Sequence, residues 1–397
     1  MRHGIRQRAE RAGRLACLFA AIWLGTCSRD FEHVEAASAA SGAMRQTPAD
    51  GPAWQLIAAG GVAGSDSPTA GEDAAVAYDA ARHRLLLYGG KGDDDVNVNE
   101  LWCFEIGPAK WARLRSEGPQ PPPREDHTLV LDTANDQLVM FGGEDGNTSS
   151  ATWTFDLRAL RWQEITHASA PAIENHAAIY DPKALRMVVF GGMRERDDKQ
   201  DLCEETWLLD LDKSSPRYGS WSELPATKPC PAPRREHRGV CDPVRHRMLI
   251  FGGRQRSSAS YLDDVWALDL TSGTWKEVAT HGERPNPIRQ VALGYDAAAD
   301  ELTVFGGEVL TFMAGRTHEK KEFPVNLIWV LDLGTGLWQD RTPYPRSMYD
   351  HAGIFVPEYG ATLIYGGSSC RPGKKEHSTW LLRTREGESA PQSPTRR

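Results

Sequence analysis

Four histidines in this chain each follow an acidic or amide residue, in the pairs Asp126-His127, Asn175-His176, Glu236-His237 and Asp350-His351. Arginines stand close by at Arg124, Arg235, Arg289 and Arg346. Gathered at one place, these groups could grip an anionic or hydroxyl-rich ligand, because guanidinium forks donate paired hydrogen bonds and carboxylates accept hydroxyl protons. The competing use is structural, since a residue that recurs in copy after copy of a repeat is suited to satisfying the backbone of the neighbouring copy. Imidazoles also ligate metals, but a zinc site needs its nitrogens at about 2.0–2.1 Å from one ion. Histidines spread one per repeat are poorly placed for that, so no metal and no cofactor is expected.

Other fragments of chemistry are incomplete. His318-Glu319 begins a zinc-protease helix but lacks the second histidine. Asp93, Asp95, Asn97 and Asn99 alternate like calcium ligands, yet the glycine and closing glutamate of an EF-hand are missing. No nucleophile elbow, phosphate loop or dinucleotide fingerprint occurs. No catalytic residue is therefore assigned.

The elements that must position the histidines come in six copies. Apolar strands end in glycine pairs at Gly89-Gly90, Gly142-Gly143, Gly191-Gly192, Gly252-Gly253, Gly306-Gly307 and Gly366-Gly367, with first glycines 53, 49, 61, 54 and 60 residues apart. A period near 50 built from short strands points to propeller blades. A tryptophan follows each pair, at Trp102, Trp153, Trp207, Trp266, Trp329 and Trp380, and five copies carry a second one, at Trp111, Trp162, Trp221, Trp275 and Trp338. Fifteen residues before each first glycine stand Ala74, His127, His176, His237, Val291 and His351.

This punctuation resembles the Kelch repeat, in which a strand opening with Arg and His is followed by a Gly-Gly strand and two tryptophan-bearing strands. The resemblance covers residues 51–383. It implies an all-β fold, a six-bladed propeller of four-stranded antiparallel blades. The sixth copy stops after Trp380-Leu381-Leu382, while Trp54-Gln55-Leu56-Ile57 matches the missing last strand, so the N-terminal strand is expected to complete the last blade and close the ring. The tryptophans are expected to fill the wedges between blades.

Antiparallel order puts the first-to-second and third-to-fourth turns on one face, where they are short. The opposite face takes the long second-to-third loops and the starts of the innermost strands, hence the His, acid and Arg groups. Cys203 and Cys230 fall in loops on that face, where an oxidising compartment would permit a bridge.

Five arginines, Arg2 to Arg14, precede an apolar run from Leu15 to Leu24, the layout of a secretory signal over residues 1–26. Leu24-Gly25-Thr26-Cys27 resembles a bacterial lipobox, making Cys27 the candidate lipidation site, although Thr26 departs from the usual small residue. Residues 27–50 read as a flexible tether and 384–397 as a disordered tail. Net charge is −8, which argues against nucleic acid as a partner. Ordinary cleavage at a small-residue site such as Ala37-Ser38-Ala39 is the alternative and would leave the protein periplasmic or extracellular; otherwise the membrane is reached only through the lipid anchor, and a monomer is expected.

Kelch propellers are mostly interaction scaffolds, so the resemblance implies an exported, non-enzymatic module whose long-loop face binds a protein or glycan. Two alternatives stand beside it. One is a sugar-acting enzyme, since sialic acid mutarotase is similar in layout and the polar mouth would suit an acidic sugar. The other is a structural component of the cell envelope. Galactose oxidase is Kelch-like as well, but the positions of its Tyr-Cys crosslink cannot be placed in this chain.

Overall fold

The computed structural model describes residues 53–58, 67–166, 169–196, 199–255, 260–312, 320–342, 348–369 and 377–384. Cys27 with the expected signal and tether, Arg346, the His318 fragment, Cys370 and all but the first residue of the tail lie outside the described residues.

Six four-stranded antiparallel sheets follow one another along the chain. Their innermost strands are Ala75–Asp79, Thr128–Asp132, Ala177–Asp181, Arg238–Asp242, Ala292–Asp296 and Ala352–Val356. The second strands, such as Gln137–Phe141 and Arg247–Phe251, are almost wholly buried. They lie between neighbouring blades, which explains why they read as continuous apolar runs rather than alternating ones. Outermost strands such as Arg161–Ile165 bury chiefly their tryptophan and expose the polar residues beside it. Among the described residues there is no α-helix, only a three-residue 3-10 turn at Pro357–Tyr359.

The last blade is closed as the sequence predicts. Ala53–Ala58 pairs antiparallel with Thr379–Arg383, setting Trp54 against Leu382 and Leu56 against Trp380. The first and last strands of the domain thereby share one sheet.

Tryptophans join blade to blade. Nine of them, Trp102, Trp111, Trp153, Trp162, Trp221, Trp266, Trp275, Trp329 and Trp338, are buried. In three outermost strands the indole N–H also donates to a threonine that opens the third strand of the preceding blade: Trp111 to Thr379 at 3.0 Å, Trp221 to Thr152 at 3.2 Å and Trp275 to Thr206 at 3.2 Å. The corresponding position holds Leu101 or Val265 opposite Trp162 and Trp338, where packing alone remains.

The glycine pairs of the first four blades are each set by two close approaches. At Gly142, φ is +69°, and a Cβ would stand 2.4 Å from the Ile173 carbonyl oxygen and 2.8 Å from the His176 ring. At Gly143, φ is +83°, and a Cβ would stand 2.4 Å from the Glu125 carbonyl oxygen. Glycine is the residue that tolerates both the left-handed backbone and the contact.

Candidate functional site

The residues just before the six histidine positions, Asp73, Asp126, Asn175, Glu236, Gln290 and Asp350, all adopt left-handed backbone, with φ from 52° to 60°. Non-glycine residues rarely do so. Here the conformation turns the chain from one blade into the next, and the backbone N–H of one copy donates to the carbonyl of the previous copy. These bonds run Asp73 to Asp350 at 3.2 Å, Asn175 to Asp126 at 3.0 Å, Glu236 to Asn175 at 2.9 Å and Gln290 to Glu236 at 3.1 Å. A backbone belt thus holds the polar side chains around the mouth of the central channel.

The histidines are not at the surface of that mouth. His127, His176, His237 and His351 are buried, each ring against an aromatic of the preceding blade: Tyr88, Phe141, Phe190 and Phe305, at 5.0–5.6 Å between centroids. Burial pushes His127, His176 and His351 down to about 3 and His237 well below its usual range, so all four are neutral at physiological pH. They pack in four separate blade interfaces and form no common metal site.

The arginines divide into two kinds. Arg124 is fully buried and binds the Gly142 carbonyl at 2.7 Å, with Asp145 at 3.3 Å. It has no surface from which to meet a ligand. Its equivalent in the fourth blade is Arg234, one residue before Arg235, which is also fully buried and forks onto Asp264 at 2.6 and 2.8 Å. Arg235 and Arg289 occupy the next position, at the mouth, where they join residues that sequence reasoning passed over.

Those residues follow the glycine pairs. Each pairs with the residue two before the histidine position: Lys91 with Glu72, Glu144 with Glu125, Met193 with Glu174, Arg254 with Arg235, Glu308 with Arg289 and Ser368 with Tyr349. The recurrence of a polar residue directly after Gly-Gly in every copy but that of Met193 was the available signal, and the variety of its side chains hid it.

The mouth is consequently two-sided. Over the first three blades Glu125, Glu144, Glu174 and Asp126 gather, with Lys91 on Glu125 at 2.7 Å. Carboxylate oxygens of Asp126, Glu144 and Glu174 lie within 4.8 Å of one another. Burial and then the nearby carboxylates push Glu174 and Asp126 up to about 7. Asp73 and Asp350 are likewise raised well above the usual carboxylate range, through burial and then the acids around them. Over the fourth and fifth blades the arginines cluster: Arg289 contacts Glu236 at 2.8 Å and Glu308 at 2.5 Å, and Arg254 contacts Glu236 at 2.7 Å. Arg235 lies 3.7 Å from Glu236 and reaches the Met193 sulfur at 2.8 Å.

Two further expectations meet the structure here. Cys203 and Cys230 are unbridged thiols. Of the alternating Asp and Asn residues after Gly92, Asp93 faces His377 at 3.0 Å, while Asn97 and Asn99 donate to the carbonyls of Glu144 and Pro121.

A family model described as the KLHDC2/KLHL20/DRC7 Kelch-repeats domain matches residues 72–307 and, overlapping them, 186–388. The chain belongs to the Kelch-repeat family. Relatives include Kelch domain-containing protein 3 of Homo sapiens, 25% identical over 226 residues, which cover 56% of this chain and 58% of that protein. The flagellar outer arm dynein alpha chain of Chlamydomonas reinhardtii is 27% identical over 277 residues, covering 65% of this chain and 6% of that one. Acyl-CoA-binding domain-containing protein 4 of Arabidopsis thaliana is 27% identical over 236 residues, covering 57% and 33%. The chain thus spans little more than half the length of Kelch domain-containing protein 3. The shared part is the Kelch propeller, in general a protein-interaction module.

Proposed function

We propose that this Kelch propeller is a non-enzymatic interaction module working outside the cytoplasm, tethered through Cys27, and that its long-loop face binds a protein partner of mixed charge. The carrying observation is the split mouth, with Glu125, Glu144 and Glu174 on one side and Arg235, Arg254 and Arg289 on the other. Complementary charge steers encounter and fixes the orientation of a partner on such a surface. Among the described residues the large exposed hydrophobic side chains are Leu56, Val96, Leu160, Val244 and Leu337, which lie far apart in sequence.

Photo-crosslinking in cells tests this reading, with the label placed at Glu144 or Arg254 on the long-loop face and at Val244 on the trimmed face. A discrete adduct from the first two positions alone supports it. Equal adducts from all three, or none from Glu144 and Arg254, defeat it. Radiolabelled palmitate incorporation lost in Cys27→Ser tests the anchor.

A second reading has its own observation. Asp126 and Glu174 sit near neutrality in a polar recess, the range suited to general acid–base work. A sugar-acting enzyme would lose turnover of an acidic sugar in Glu174→Gln, and a binder would show no turnover to lose.

A further inference from the structure

The belt of acids caps a central channel of about 480 Å³ that runs between the innermost strands. Its layers differ sharply in chemistry. Below the belt, the channel-lining residues that follow histidine positions are Ala75, Thr128, Ala177, Arg238 and Ala352, so one long cation interrupts a layer of small side chains. Three residues further on, near the trimmed face, the lining turns aromatic and apolar: Tyr78, Leu131, Tyr180, Cys241, Tyr295 and Phe355. Between these two layers the lining includes Val76, Leu129 and Leu293.

The backbone of Arg238 is paired in its strand, but its guanidinium makes no hydrogen bond or ion pair among the described residues. Its charge nevertheless reaches across the channel. Burial first, and then Arg238, depress His351 two blades away; Asp126, raised by burial and by Glu125 and Glu236, is drawn back by Arg238 from the other side. Arg238 is half-buried and lines the channel. A guanidinium offers five donors, and one held in a cavity without a protein acceptor leaves them for water or for a ligand.

We propose that the channel is a small-molecule site for an organic carboxylate with an aromatic or branched apolar body. The carboxylate would lie on Arg238 and the body against the aromatic lining of Tyr78, Tyr180 and Phe355, with entry from the trimmed face. This goes beyond the partner-binding role of the long-loop face, because the ligand and the opening are different. The chemistry follows from the two ends of the space: a single cation at depth selects an anionic head, and apolar walls reward burial of the rest at about 25 cal/mol per Å².

The opposing influence is the acid belt above Arg238, which would favour a cationic head instead. Isosteric probes decide between them. The full chain is titrated calorimetrically with 2-naphthoate, 2-naphthylmethanol and 2-naphthylmethylamine. The expected result is one site at which the carboxylate binds at least tenfold tighter than the alcohol, with the amine weakest. Arg238→Met should lose that tenfold preference without lowering the melting temperature, since no protein bond is broken, and Arg238→Lys should keep part of it. Nuclear Overhauser contacts from the naphthalene protons to the rings of Tyr180 and Phe355 should place the body. Equal affinity for carboxylate and alcohol, preference for the amine, contacts elsewhere, or binding unchanged in Arg238→Met would each overturn the proposal. The probe series on the unaltered chain decides the matter even if an Arg238 variant fails to fold.

Discussion

The first glycines Gly89, Gly142 and Gly191, each ending a second strand, form matched pairs with the histidine of the following blade. Gly142→Ala would force a Cβ to 2.4 Å from a backbone oxygen in left-handed backbone, so it should destabilise the fold by about 2–4 kcal/mol, read as a fall in denaturant midpoint. Gly107→Ala has nothing within 4 Å and should shift that midpoint little. The histidines also explain how the sequence both revealed and misdirected. Their fifteen-residue offset from the glycines was legible because the offset is the packing geometry itself. Their burial was not, since the same Asp-His or Glu-His pair suits a ligand site equally well. Arg234 and Arg235 show the same ambiguity at one-residue resolution: adjacent arginines face a blade interface and the mouth, and only the strand phase separates them.

At the scale of the strand, closure rests on Ala53–Ala58, which holds the last blade through the Thr379–Arg383 ladder. Removing residues 1–58 should leave a three-stranded last blade with an open edge and lower the melting temperature, while removing residues 1–50 should not; thermal unfolding of the two truncations is the comparison. The tryptophan contacts grade finely. Thr152→Val removes the acceptor of the Trp221 N–H and should cost about 1 kcal/mol, or more if the indole is left unsatisfied. The tryptophan strands were legible as core from their register alone. Which outermost-strand indoles would bond a threonine depended on the first residue of the neighbouring blade's third strand, a partner 69 residues away for Trp221 and Trp275 and 268 for Trp111, which no local pattern announces.

For the whole molecule, two opposed sets of buried groups meet around the channel and set its response to pH. His127, His176, His237 and His351 stay neutral when folded, whereas the unfolded chain protonates them below about pH 6.5. Unfolding therefore takes up protons there, and their contribution to stability is lost as pH falls from about 6.5 towards 3. Asp73, Asp126, Glu174 and Asp350 act in the other sense. Raised in the folded state, they hold protons that the unfolded chain has released above about pH 4, so the contribution of Asp126 and Glu174 is lost as pH rises from there through about 7, and that of Asp73 and Asp350 falls in the same direction. Between about pH 4.5 and 6.5 the two sets oppose each other, and stability should vary little with pH. The variant Asp126→Asn with Glu174→Gln removes part of one set and keeps the other. Its stability should rise with pH across that window, placing it below the parent near pH 4.5 relative to its own value at pH 8. Urea midpoints of both proteins at half-unit steps would show this divergence. Parallel profiles would mean that the carboxyls at the mouth ionise as freely as exposed ones, and that the acid-base reading of Asp126 and Glu174 loses its physical ground as well.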